Sequence, residues 1–195
     1  MANFKTRLIA YILDALIISV AVTLISSIFP NSNYKKLNDE LNKVTENYTN
    51  KEIDFATYVY NYADINQDMM KESLYTNLIQ GFLIVGYFII LPVCNNGQTL
   101  GKKLFKIKMV SDKGELDYNQ LIIRALIVDG LGYLILSMAL LYILPSYAYF
   151  ITTSILSLVE TLVTIISVGM IIKNDNRKGI HDILSGTKVI SEVGE

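Results

Sequence analysis

The chain has 195 residues, of which 52% are hydrophobic and 18% are charged, and its mean hydropathy is +0.39. That charge content is low for a soluble domain of this length. Seventeen basic residues stand against eighteen acidic ones, so no excess of charge points to nucleic acid as a partner. With one cysteine, Cys94, and one histidine, His181, the sequence excludes an internal disulfide and an ordinary His/Cys zinc site.

The apolar residues gather into four runs, each long enough to cross roughly 30 Å of hydrocarbon as a helix. In chain order the predicted spans are 8–29, 74–93, 121–144 and 148–172. The first run has no A-x-A cleavage site and carries Asp14, so we expect an uncleaved span rather than a signal peptide. The sequence therefore predicts an all-α integral membrane protein, a four-helix transmembrane bundle that forms a single domain.

The charges of the connecting segments predict the orientation of the bundle. Segment 94–120 has five lysines against three acids, and the two ends of the chain add further lysines and arginines, whereas segment 30–73 has five lysines against eight acids. By the positive-inside rule, the N-terminus, 94–120 and 173–195 lie on the cytoplasmic side of the cell membrane. Segment 30–73 then lies outside.

The outer segment has the pattern of two amphipathic helices. Apolar residues recur at helical spacing over 37–48 and again over 55–62, with a polar break at Thr49 and Asn50. The pair either caps the bundle or lies on the outer membrane surface. A protein partner, if there is one, is expected at residues 34–70.

A small cytoplasmic β-ribbon is predicted from two other stretches. Residues 103–111 alternate roughly between polar and apolar side chains and end in the turn Asp112-Lys113-Gly114, and 187–190 form a second short strand candidate. The two stretches are expected to pair with each other.

Four ionisable residues fall inside predicted spans: Asp14, Arg124, Asp129 and Glu160. Each is a candidate site, because an unpaired charge at bilayer depth is costly. Arg7 and Asp14 share one helix face but lie about 10 Å apart along the axis, too far for an easy pair. We therefore expect Asp14 to pair with Arg124, either as a structural ion pair or as part of a transport site.

Polar residues accompany two of these charges along their helices. Glu160 lies at the centre of a stripe on one face of the last span, formed by Thr153, Ser157, Thr164 and Ser167. The stripe either lines a path for a cation or proton or holds helices together. In the first span, a seam of small residues at positions 15, 19, 23 and 26 predicts close helix packing. Asp129 is followed by Gly130 and Gly132, which allow close approach of another backbone.

The chain resembles the RDD family of multi-pass bacterial membrane proteins. The resemblance rests on Arg7 and Asp14, on GQTLGKKLFKIKMVSDKGE at 97–115, on Arg124 and on RKGIHDILSGTKV at 177–189. It implies a helical membrane domain and a suggested transport role without a general substrate. The arginine and two aspartates that give the family its name correspond to Arg7, Asp14 and, for the second aspartate, Asp182.

The leading hypothesis is a small transporter of an ion, proton or small solute, motivated by Glu160 and Asp14. Four spans are few to enclose a pathway, so a homo-oligomer is expected. The alternative is an accessory or scaffold protein that binds a partner through its outer helices. No nucleophile, base and metal constellation is visible, so we expect neither an enzyme nor a cofactor. His181 and Asp182 are expected to anchor the C-terminal segment.

Overall fold

The computed structural model describes residues 1–28, 32–173 and 175–192. Three helices are long and apolar enough to cross a membrane: α1 (Phe4–Ser26), the helix Leu74–Cys94, and α9 (Ser146–Lys173). A bent pair, α7 (Tyr118–Val128) and α8 (Leu131–Leu140), passes the same test together and supplies a fourth crossing if it is one span. The predicted class, an all-α membrane protein with a small β-ribbon, is confirmed.

The first two spans lie close to their predicted positions. Helix α1 begins at Phe4 rather than at residue 8, because the side chain of Asn3 caps it by accepting from the backbone N–H of Lys5. The end of the predicted first span, at residue 29, lies outside the described residues. The second span consists of α4 (Leu74–Ile84), a π-helical stretch (Val85–Ile90) and α5 (Leu91–Cys94).

The third predicted span, 121–144, is wrong as a single continuous helix. Helices α7 and α8 meet at 71°, and the chain breaks between them at Asp129 and Gly130. Gly130 has a φ of +77°, a left-handed conformation that glycine adopts freely and that ends a helix. The apolar pattern gave the length of this segment correctly but not its bend.

The segment between the first two spans forms the expected pair of helices, α2 (Ser32–Thr49) and α3 (Phe55–Glu72). They form a hairpin in which the rings of Tyr48 and Tyr58 stack 4.7 Å apart. Helix α3 packs against the start of α9 and the loop before it, where Gln67 donates to the carbonyls of Leu141 and Leu144 at 3.0 and 2.9 Å. We call this end of the bundle the hairpin end.

The opposite end, the ribbon end, carries α6 (Leu100–Leu104), β1 (Ile107–Ser111), α10 (Ile180–Ser185) and β2 (Thr187–Ser191). The strands pair antiparallel with Met109 opposite Val189, which confirms the predicted ribbon. Strand β1 begins at Ile107 rather than at residue 103, because the Thr99 side chain caps the short helix α6 and keeps those residues helical. Ala2 fastens the N-terminus to β2 through a 3.0 Å bond to the Val189 carbonyl.

The buried apolar core lies where α1, the second span, α7 and α8 meet, and it continues into the ribbon. Its members include Ile84, Phe88, Leu121, Ala125, Leu131, Ile107 and Val189. The apolar residues on the outer faces of α1 and α9 remain exposed, for example Leu16 at 57% and Leu162 at 48%. Such exposure is expected of helices whose outer surface meets lipid.

Candidate functional site

Asp182 lies between two arginines in a buried cluster at the ribbon end. Its carboxylate accepts from Arg7 Nη2 at 2.6 Å and from Arg124 Nη1, and it is completely buried. It also caps its own helix, accepting from the backbone N–H of Gly179 at 3.1 Å. This single side chain therefore joins α1, α7 and α10.

The surroundings of Asp182 keep it ionised. Burial alone acts to raise the pKa of Asp182, but the guanidinium groups of Arg124 and Arg7 outweigh that effect and hold the pKa well below its usual value. Burial, reinforced by the charge of Arg124, lowers the pKa of neighbouring His181 to about 3, so its imidazole is neutral near pH 7. His181 Nδ1 lies 2.8 Å from Ser167 Oγ, which also accepts from the backbone N–H of Ile180. His181 and Asp182 thus attach α10 to α1, α7 and α9.

Asp14 forms a second buried cluster, on the face of α1 that meets the loop after the second span. Its oxygens accept from Tyr87 Oη and Thr99 Oγ1 at 2.6 Å each and from the backbone N–H of Gly101 at 2.8 Å. Lys102 Nζ lies 3.6 Å away. Gly101 is required for this contact, since a Cβ there would lie 2.4 Å from the Ala10 carbonyl oxygen. Asp14 fixes this loop to the bundle.

The predicted pair between Asp14 and Arg124 is therefore wrong. Both residues lie inside spans as expected, but Arg124 pairs with Asp182 and Asp14 pairs with Lys102. Lys102 is itself buried, and burial lowers its pKa while the charge of Asp14 acts to raise it. Sequence analysis missed Lys102 because it is one of five lysines in its segment. The only sequence signal near it is Thr99, which caps the short helix α6.

Two cavities follow one face of α1. A ribbon-side cavity of about 170 Å³ is lined by Arg7, Lys102, Arg124, Asp129 and His181 among others. A hairpin-side cavity of about 300 Å³ is lined by residues that include Ala15, Ser19, Thr23 and Gln80. The small-residue seam of α1 thus borders a cavity at three of its four positions, where close packing was predicted.

The two cavities adjoin, because Tyr11, Phe88 and Asp129 line both. We call them together the α1 cleft. On α1 its lining runs from Phe4 to Thr23, a rise of about 28 Å at 1.5 Å per residue. That length is close to the roughly 30 Å thickness of a bilayer core.

Asp129 stands at the junction of the cavities and at the helix break. Its side chain makes no hydrogen bond or ion pair with the residues that the structure describes, although Lys102 and Arg124 act on it electrostatically. The hydroxyl of Tyr11 donates to the neighbouring Val128 carbonyl at 3.0 Å. Gly132 lets the chain turn tightly here, since a Cβ would lie 2.4 Å from the Leu126 carbonyl oxygen. The break thus presents an unpaired carboxylate beside the C-terminal carbonyls of α7.

Within the spans, Glu160 is the second carboxylate, after Asp129, that has no hydrogen bond or ion pair with the residues that the structure describes. It is half-buried in α9, and its charge lies within electrostatic range of the hydroxyls of Tyr11 in α1 and Tyr133 in α8. The predicted stripe around it is divided. Thr153 and Ser167 are buried and hydrogen-bonded within the chain, whereas Ser157 and Thr164 are exposed.

A comparison with known protein families finds a match. A sequence model of the RDD family matches residues 1–186 and so includes Arg7, Asp14, Arg124 and Asp182. Neither the curated proteins nor the solved structures include a match to the chain.

The Asp182 cluster predicts a large loss of stability in an Asp182→Asn variant. The change leaves two buried guanidinium groups side by side without a counter-charge, which costs about 3–5 kcal/mol of unfolding free energy. Thermal unfolding in detergent measures it. The matched control is Asp68→Asn, which breaks an exposed pair with Lys71 and should cost less than about 1 kcal/mol.

A triple variant separates charge from packing at the same site. Replacing Arg7 with Met, and Arg124 and Asp182 with Leu, removes all three charges and should restore most of the stability that Asp182→Asn loses. If Asp182→Asn unfolds no earlier than Asp68→Asn, the cluster does not stabilise the fold.

Neutral His181 predicts a pH dependence of stability. Its pKa is about 3 in the folded chain and near 6.5 in an unfolded one, so below about pH 6.5 the unfolded state binds a proton that the folded state does not. Stability therefore falls on acidification, by about 2 kcal/mol between about pH 7 and about pH 5. A His181→Gln variant should lose less than the unchanged protein when melting temperatures are compared at the two pH values. Equal losses would contradict a buried neutral histidine.

Proposed function

This chain belongs to the RDD family of membrane proteins, and on that premise we propose that it is a transport protein that moves protons, with or without a small solute, through the α1 cleft. The observation that carries the proposal is the cleft itself. Two adjoining cavities follow α1 for about the thickness of a bilayer core and meet at an unpaired carboxylate. The proposal includes no enzymatic step.

Asp129 and Glu160 are the proposed proton carriers. Asp129 lies at the break between α7 and α8 and lines both cavities, whereas Glu160 lies on α9. Both are within electrostatic range of Tyr11, and neither makes a hydrogen bond or ion pair with another described residue. An ionisable group inside a span is costly to keep, and where it serves no structural pair it marks an ion or proton path. Broken helices supply ion sites in many transporters for a related reason, since the unwound turn exposes backbone carbonyls.

The paired carboxylates have a different proposed role. Asp14 and Asp182 are saturated by protein donors, so they hold the ribbon end in place and do not carry the transported species. Of the two residues that motivated the transport hypothesis, Glu160 keeps that role and Asp14 becomes structural.

The proposed setting is the cell membrane, with the ribbon end in the cytoplasm and the hairpin end outside. The lysines of the ribbon end and the acidic balance of the hairpin support this orientation. A homo-oligomer is part of the proposal, because Ser157 is a polar residue exposed on α9 that a second copy would cover.

Proton flux into liposomes tests the pathway. With a pH-sensitive dye inside, the reconstituted protein should acidify the lumen under an imposed gradient, and Asp129→Asn and Glu160→Gln should each slow that flux at least about tenfold. Asp39→Asn, which changes an exposed carboxylate of α2, is the matched control and should leave the flux unchanged.

Unchanged flux in both pathway variants would remove the transport proposal. The accessory role makes the opposite forecast: deletion of residues 34–70 would abolish function in cells, and Glu160→Gln would be silent.

Thiol labelling tests the orientation. In a Cys94→Ala background, an impermeant maleimide added to intact cells should label an Asp39→Cys variant and should not label a Lys113→Cys variant. Both positions are exposed, one in α2 and the other in the turn after β1. Lysed cells, in which both variants label, are the control, and the reverse pattern in intact cells would invert the proposed topology.

A further inference from the structure

The ribbon-side cavity contains hydrogen-bond donors that the protein leaves unused. Arg124 is 9% exposed, and its Nη1 donates to Asp182 and, at 3.2 Å, to Thr187. An arginine has five N–H donors, and Nε and Nη2 of Arg124 have no partner among the described residues. Because Arg124 lines the cavity, these remaining donors are available to a ligand there.

Lys102 and Asp129 add one cation and one anion to the same cavity. Lys102 Nζ contacts Thr99 Oγ1 at 3.3 Å and Asp14 at 3.6 Å on one side, and the lysine also lines the cavity. Asp129 brings carboxylate oxygens that accept from no described residue. Free cationic donors and free anionic acceptors therefore line one space, and Lys102 and Arg124 lie within electrostatic range of Asp129.

The charges around this cavity balance. Arg7, Lys102 and Arg124 are countered by Asp14, Asp129 and Asp182, three against three. A ligand with a net charge would leave that buried group unbalanced, which is costly where water is scarce. A zwitterion would preserve the balance and satisfy both kinds of unused group.

Size and lining restrict the ligand further. The cavity of about 170 Å³ is slightly larger than the cavity of about 150 Å³ that holds benzene, so it has room for roughly six to eight heavy atoms. Much of its wall is apolar, with Leu8, Phe88, Val128, Val168 and Ile171 among the lining residues. A short aliphatic group fits beside the charged end.

We propose that the ribbon-side cavity binds a small aliphatic zwitterion of the α-amino acid type, with its carboxylate on Arg124 and Lys102 and its ammonium group on Asp129. This names the solute of the proposed transport and so rests on that function, but binding can be measured without flux. Arg124 and Lys102 are binding residues in this arrangement, and Asp182 positions Arg124.

Calorimetry on the purified protein in detergent tests the ligand class. The probes are L-valine, isovalerate, which lacks the ammonium group, and isobutylamine, which lacks the carboxylate. L-valine should bind, and each single-charge analogue should bind at least about tenfold more weakly, since one charged hydrogen-bonding group is then left without its partner. Isovalerate or isobutylamine binding as tightly as L-valine would overturn the proposal.

An Asp129→Asn variant sharpens the test by reversing the preference. It should weaken L-valine binding about tenfold and strengthen isovalerate binding, because the carboxylate that repels an anion is gone. Asp39→Asn is the control and should bind all three probes like the unchanged protein. A variant with weaker affinity for L-valine and isovalerate alike would overturn the assignment of the ammonium group to Asp129. The comparison of three probes on the unchanged protein needs no variant to fold.

The two proposals can fail separately. Proton flux that depends on Asp129 in a protein that binds no L-valine would overturn the zwitterion site and leave proton transport in place. Specific L-valine binding in a protein without flux would support the site and overturn the transport function.

Discussion

The ionised carboxylate of Asp182 between Arg7 and Arg124 is the interaction on which the rest of the ribbon end depends. Asp182 comes 175 positions after Arg7 and 58 positions after Arg124 in the chain, and the three residues belong to three different helices. Because the carboxylate is buried, removing it would leave two like charges together in a poorly solvated place, so the three helices are held in one arrangement. The same contact holds Arg124 at the wall of the ribbon-side cavity, where Asp182 and Thr187 use only one of its three nitrogens. The contact of Asp182 with Arg7 and Arg124 thus stabilises the fold and also positions the donors of the proposed binding site.

The four carboxylates considered as sites, Asp14, Asp129, Glu160 and Asp182, divide into two kinds. Asp14 and Asp182 are fully buried and accept several hydrogen bonds each. Asp14 thereby holds the loop after the second span in place, and Asp182 holds α10 in place. Asp129, which lines the α1 cleft, and Glu160, which lies on α9, are only partly buried and have no hydrogen-bond or ion-pair partner among the described residues. An unpaired charge at that depth destabilises the protein. Because Asp129 and Glu160 have no structural partner to offset this cost, they are the candidates for function.

Two departures from regular helix border the cleft. The break between α7 and α8 supplies Asp129, and the π-helical stretch of the second span supplies Phe88, which also lines both cavities. The same π-helical stretch places Tyr87 on Asp14 at 2.6 Å. Breaks and π-helical turns often mark functional sites, because each frees backbone groups or redirects side chains that a regular helix would align. Here both irregularities meet the same face of α1.

The sequence by itself determined the features that depend on local composition: the number and length of the apolar segments, the two helices of the hairpin, the pairing stretches of the ribbon and the charged residues within spans. It also carried the family resemblance, which the match over residues 1–186 confirms. Only the tertiary structure decided which charges pair, because Arg124 can reach Asp14 or Asp182 as far as spacing is concerned, and the choice depends on where α6 and α10 dock. The bend at Gly130 and the α1 cleft were decided there too, since apolar periodicity records which residues avoid water but not the angle at which two helices meet or the space left between them.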